Sequence, residues 1–306
     1  MDTKYLRAGV NGLSRVLDSE DAFGSHRGWF CGHWACAVIA AFYFCRDNPI
    51  EPGVDEAVTR EVDRMIGMHD DIFNLDEIDT NEKTHDVEDI IDSLTRSIVR
   101  YIASGHNVIY TAYALKVLTE NPELATPPVL NGIVALLDYF EYASRLHGVD
   151  PKEFFSDGKK LTPAYENEND MIDNVFATLQ YAPRLSDRHR TLFDGHLMTH
   201  AHALVLLSRL GYGSVARSGY ESHRVHMEEN RNFELQILME RWPKKVTVDD
   251  YHPFSLAFWD RDFNENDNQW GAGHVFKYLY TFYELAPRIG SQYRTNVCER
   301  QLAYLT

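Results

Sequence analysis

Four Gly-His pairs stand at the head of apolar runs in this chain: Gly32-His33, Gly105-His106, Gly195-His196 and Gly273-His274. Imidazole titrates near neutral pH and, when neutral, ligates metals, so four of them at the mouths of buried segments point to acid-base or metal chemistry. The residue four positions after each His shares its face on a helix, and these residues are Ala37, Tyr110, His200 and Tyr278. Three of the four runs thus present a His and a second polar ring to one side. That pattern predicts a polar cavity lined by His33, His106, His196, His200, His274, Tyr110 and Tyr278. The simpler alternative is that each His caps its own helix through a backbone hydrogen bond.

His196 and His200 are one helical turn apart and could ligate a single metal. The intervening Leu-Met-Thr lacks the Glu of the HExxH zinc enzymes, which excludes that mechanism. With a further inner-helix His and a carboxylate, such a site would suit Zn²⁺, Mn²⁺ or Fe²⁺. His33, His106, Tyr110, His274 and Tyr278 would then supply acid-base groups, as would Asp194, which precedes Gly195-His196 where an N-cap carboxylate is stabilised. His202 falls on a different face from His200. His223 and His226 lie in the polar stretch SHRVHMEEN and are expected at the surface.

A second constellation is His69-Asp70-Asp71-Ile72-Phe73-Asn74, followed by Asp76, Glu77 and Asp79. It is similar to the Asp-rich motif of class I terpenoid synthases, and the resemblance implies Mg²⁺ held by Asp70 and Asp71 against a substrate diphosphate. Asn74 stands where a third acid belongs, and the second metal motif of that family is missing. A solvated acidic loop is the plainer reading.

The elements that must position these residues are helices, because apolar residues recur at helical spacing and no stretch alternates like a strand. Helices are expected at about 31–46, 54–68, 86–103, 106–120, 127–146, 168–180, 190–210, 214–241, 253–261, 273–286 and 290–304. Asn48-Pro49, Asn121-Pro122, Pro127-Pro128, Pro243 and Pro287 punctuate them. Segments after the Gly-His pairs are apolar nearly all round, whereas 54–68, 87–102 and 293–305 are amphipathic. Residues 148–169 and 242–273 mix turn residues with aromatics and read as lid loops, and 1–28 as an N-terminal extension of a single domain spanning 1–306.

This alternation of buried and amphipathic helices resembles the α/α-toroid folds, a group that includes glycoside hydrolases, sugar epimerases, lanthionine cyclases and one type of terpenoid cyclase. The resemblance implies an all-α barrel-like array of inner and outer helices around a central cavity. It is a likeness of fold and carries no activity.

A formal charge of −16 without a basic stripe argues against nucleic acid. The N-terminal residues lack a signal-peptide pattern and no run approaches eighteen apolar residues, so no membrane partner and a cytoplasmic location are expected. Cys31, Cys36, Cys45 and Cys298 form no disulfide framework and read as packed thiols. There is no GxGxxG, P-loop or GxSxG signature. The leading expectation is an enzyme acting on a small molecule in a His- and Tyr-lined cavity, as a metal-assisted or acid-base lyase, isomerase or hydrolase. The rivals are a terpenoid cyclase-like enzyme and a non-catalytic helical binding protein or scaffold.

Overall fold

The computed structural model describes residues 1–17, 28–73, 85–158, 161–180, 188–240, 252–260 and 273–302; within these, Asp71, Gln301, 188–194 and 232–240 are described by backbone alone. The protein is all-α: helices dominate and no strand occurs among the described residues. An isolated antiparallel bridge joins Tyr101 to Val149. In chain order the longer helices are α1 (Lys4–Ser14), α2 (Gly32–Asp47), α3 (Val54–Met68), α4 (Val87–Ser97), α5 (His106–Glu120) and α6 (Pro127–His147). They are followed by α7 (Glu168–Leu179), α8 (Arg188–Leu207), α9 (Gly213–Ser218), α10 (Tyr220–Glu240), α11 (His274–Leu285) and α12 (Gln292–Leu302).

Local chemistry explains where several of them begin and end. Helix α2 stops where Pro49 forces Asn48 into extended backbone, and the Asn48 amide donates to the Phe44 carbonyl at 2.9 Å. A capping box starts α7: the Asn167 side chain accepts from Asn169 and Asp170, and the Asp170 carboxylate reaches back to the Asn167 amide. The expected helix at 86–103 ends at Ser97; beyond it Tyr101 bridges Val149, and Ala103 and Ser104 adopt positive φ of 46° and 52° before Gly105 at 80°. Of the two expected lid loops, the described part of 148–169 holds a four-residue helix, Pro151–Phe154, and that of 242–273 holds Leu256–Trp259. Helix α1 was not foreseen within the N-terminal extension. Its apolar stripe of Tyr5, Leu6, Val10 and Leu13 is buried.

The chain divides into two compact units. The first comprises Met1–Leu94, Tyr113–Tyr139 and Tyr251–Tyr280, and the second Thr95–Ala112, Phe140–Asp250 and Thr281–Thr306. In the first, α2 is the core element: it is buried without interruption from Gly32 to Phe44 and packs against α1 and α3. Each fully buried Ile39, Val38 or Phe44 contributes about 2 kcal/mol from area removed from water, enough to outweigh the weak helix propensity of such residues. The stretch Gly28–Asp47 has the length and mean hydropathy (1.4) of a membrane span, contrary to the expectation that no run comes close, yet 83% of that window is buried inside the protein. In the second unit α8 is the core element, packed against α7 and α10, with α12 tied to α7 by Arg294–Asp173 at 3.1 Å and by the Cys298 thiol donating to the Phe176 carbonyl. All four cysteines are free thiols.

Three of the four Gly-His pairs begin a helix. At Gly105 and Gly273 the glycine is left-handed (φ 80° and 63°), a conformation that admits the chain to a helix start already closed in by neighbours. A Cβ on Gly273 would lie 2.2 Å from the Ala37 Cβ. The third pair behaves differently. Gly195 and His196 lie inside α8, which begins at Arg188, so Asp194 is a helix-interior residue and its expected N-cap position is overturned.

Gly273→Ala is expected to cost about 3 kcal/mol, combining left-handed strain with an overpacked contact, measured by urea denaturation. Gly158→Ala, at φ 64° with nothing within 4 Å of the new methyl, should cost about 1 kcal/mol. Equal losses would show that the close approach to α2 does not matter.

Candidate functional site

The second unit brings five imidazoles together in its interior. His106 comes from α5, His196 and His200 from α8, and His223 and His226 from α10, and none is more than 9% exposed. The expectation that His223 and His226 lie at the surface is therefore corrected: both are fully buried. Their i,i+3 spacing places them on one face of α10, and that face packs on α8. The polar residues that suggested a solvated helix, Glu221, Arg224 and Glu229, occupy its other faces.

Backbone strain positions the cluster. The left-handed run Ala103-Ser104-Gly105 turns the Ala103 carbonyl back onto His106, whose Nδ1 donates to it. Consecutive left-handed residues are costly, and such strain concentrates at functional sites. Gly105 has a second role: a Cβ there would lie 2.5 Å from Cγ and Nδ1 of His200, so the His200 ring rests on the bare α-carbon. The rings of His106 and His196 are 4.8 Å apart, and a nitrogen of each lies within 4.8 Å of the other. Tyr110, one turn along α5, meets the His106 ring at 5.2 Å, as the i,i+4 spacing predicts.

Hydrogen bonds sort the five imidazoles. His223 uses both nitrogens: Nε2 donates to the Leu197 carbonyl at 3.2 Å, which leaves Nδ1 to accept from the Tyr165 hydroxyl at 3.2 Å. Both of its nitrogens are thus held by the protein. His200 and His226 face each other Nδ1 to Nδ1 at 3.3 Å. One of those nitrogens must carry the proton and the other accept it, so the two rings are opposite tautomers. Each then has a buried Nε2 without a hydrogen-bond partner among the described residues, one a bare lone pair and the other an N–H. Leaving such groups unsatisfied costs about 1–3 kcal/mol each.

The electrostatics agree. Burial holds His200 well below the ordinary imidazole range, and the neighbouring His223 adds to the effect. His226 is lowered by burial and then by His200, His223, His196 and His106. Burial brings His223 down to about 4, opposed by its bond to the Leu197 carbonyl. All three are neutral at pH 7, the state that ligates metal. Tyr101 stacks on His226 at 4.9 Å and its hydroxyl is raised by burial, with Glu229 adding to the rise. The buried carboxylate of α10, Glu228, accepts from Leu161 N at 2.9 Å and from Thr162 N and Oγ1, both at 2.5 Å, and so holds the 161–162 segment.

The other sequence-expected residues divide plainly. In the first unit His33 and His274 meet at 5.0 Å between rings, and His274 stacks on Tyr278 at 5.3 Å. His33 Nδ1 donates to the Phe30 carbonyl at 2.8 Å. His33 and His106 thus do bond to backbone in the manner of a capping His, and the same bond points Nε2 away from the backbone. His202 turns from the cluster to Thr281 Oγ1 at 3.2 Å. Asp70 is exposed while Ile72 and Phe73 are buried. The Asp194 and Asp71 side chains and Asn74 to Asp79 fall outside the described residues.

Because His200, His223 and His226 are depressed in the folded protein, the unfolded chain takes up protons near pH 6.5 that the folded chain refuses. Stability is therefore full above about pH 6.5 and is lost as pH falls toward the folded values. Metal-free protein should lose about 2 kcal/mol between pH 7 and pH 5 from His223 alone, with His200 and His226 adding in the same direction. Urea midpoints at constant ionic strength measure this, and a flat profile would contradict a cluster of neutral buried imidazoles. No family model, no curated protein and no solved structure matches this chain, so its function has to be argued from the chemistry of these residues.

Proposed function

We propose that this protein is an enzyme that acts on a small molecule at a transition-metal centre built from the buried histidines of the second unit. The observation that carries the reading is the His200–His226 pair, two buried imidazoles that bond each other through Nδ1 and leave both Nε2 atoms for something else. His106 and His196, with nitrogens within 4.8 Å of each other, complete an imidazole-rich donor set. A ring whose Nδ1 carries the proton offers Nε2 as a ligand, whereas the opposite tautomer offers an N–H that can hold a substrate oxygen.

The donor set narrows the metal. Imidazoles suit Zn²⁺ or Fe²⁺, whereas Mn²⁺ favours carboxylates, and Glu228 is committed to the 161–162 segment. A bound metal would polarise a substrate oxygen or activate water, the chemistry of a lyase, isomerase or hydrolase. Tyr110 beside His106 and Tyr101 beside His226 are the acid-base groups within reach. The sequence expectation of an inner set of apolar helices enclosed by amphipathic ones belongs to this proposal: α2 is buried along most of its length, whereas α3 and α4 bury one stripe.

Elemental analysis of untagged protein, before and after anaerobic reconstitution with Zn²⁺ or Fe²⁺, tests the reading. Wild type should hold about one transition metal per chain. His200→Gln and His226→Gln should each lower occupancy at least tenfold while retaining helical circular dichroism, one by removing the ligating Nε2 and the other by removing the Nδ1 partner that fixes the ligand's tautomer, and His223→Gln should keep the metal because His223 spends both nitrogens on the protein. Failure to hold metal after reconstitution, or equal loss in all three variants, would overturn the metal centre and favour the scaffold.

A further inference from the structure

Helix α11 carries a charge-bearing residue where none is expected. Lys277 sits in the run VFKYLYTFYEL, is 2% exposed, and forms no hydrogen bond or ion pair among the described residues. A buried ammonium normally requires a carboxylate. The electrostatic neighbour Lys277 does have is the Cys36 thiol of α2, itself pushed up by burial and hence uncharged. Within the first unit the pairs His33–His274, Ala37–Gly273 and Tyr43–Tyr280 show α2 and α11 advancing side by side in the same direction. Cys36 and Lys277 each stand three residues after the facing histidines, on the same helix faces. The arrangement is an amine and a thiol one turn above two imidazoles, with Tyr278 stacked on His274.

We propose that Lys277 is a nucleophilic amine that forms a Schiff base with a small aldehyde or ketone. The amine lone pair adds to the carbonyl carbon, the carbonyl oxygen takes up a proton, and the carbinolamine loses water to give the imine. His274, one turn before Lys277 on the same face, and His33 opposite it are placed to shuttle those protons. The step requires no oxidant, reductant or metal and does not depend on the histidine cluster of the second unit. Burial supports it by bringing the amine to about 7, so that near neutral pH much of it is unprotonated. An ammonium serving to bind anions would instead be placed beside hydrogen-bonding partners that hold its charge, and Lys277 has none among the described residues.

The test is competitive reductive trapping of the native full chain with limiting propionaldehyde and cyanoborohydride, followed by peptide mapping. At pH 7 Lys277 should be alkylated at least tenfold faster than the surface lysines, which are almost wholly protonated there. Its rate should rise with a midpoint near pH 7, whereas theirs should keep rising toward pH 10. Lys277→Met, which preserves volume and apolarity, should abolish the fast adduct and leave helical content unchanged, and metal chelation should not alter the wild-type result. Alkylation of surface lysines with Lys277 unmodified or no faster would overturn the proposal from the wild-type map alone, whatever the variant's folding.

Discussion

The second unit depends on one constraint: histidine rings taken out of water must be neutral, and each of their nitrogens then needs a partner of the right kind. Desolvation dominates the lowering of His200, His223 and His226, and neutrality makes every ring one donor and one acceptor. The local structure follows from placing those donors and acceptors. Tyr165 and the Leu197 carbonyl are spent on His223, the turned-back Ala103 carbonyl on His106, and His200 and His226 on each other. The Nε2 atoms of His200 and His226 are left without a partner among the described residues, and the proposed metal centre rests on them.

Strain and packing are coupled through Gly105. The left-handed run before α5 is unfavourable by itself, and it persists because it presents a carbonyl to His106 and a bare α-carbon to His200. A side chain at that position would move the His200 ring and with it the pairing to His226. The glycine of the Gly-His spelling and the histidine are therefore parts of one device, and the glycine serves the helix start and the neighbouring ring together. In the first unit the glycine at Gly273 does the same against Ala37.

Much of this was legible in the residues. Helical periodicity located most of the helices, and the i,i+4 relation correctly paired His106 with Tyr110 and His274 with Tyr278. Helix α1 falls in the segment that reads as an extension, although Tyr5, Leu6, Val10 and Leu13 already recur there at helical spacing. His223 and His226 were read as exposed because charged residues surround them in sequence, yet charges one or two positions away point to other helix faces. Their H-x-x-H spacing alongside Ser222, Val225 and Met227 was the available signal. Lys277, a lone amine among aromatic and apolar residues, is equally visible in the sequence but belongs to no motif.

Sequence alone determined that the chain is helical, that its Gly-His segments are apolar enough to be buried, and which polar rings share a helix face, because these follow from composition and a fixed 3.6-residue period. Only the tertiary structure decided which histidines meet. Whether Nδ1 of a ring finds a carbonyl, a hydroxyl or another imidazole depends on residues brought from α5, α8 and α10, and the tautomer, the charge state and the unspent nitrogen all follow from that encounter. The same holds for the surroundings of Lys277: His274 shares its helix, but the Cys36 thiol and His33 are brought by the packing of α2, and no carboxylate pairs with the amine among the described residues.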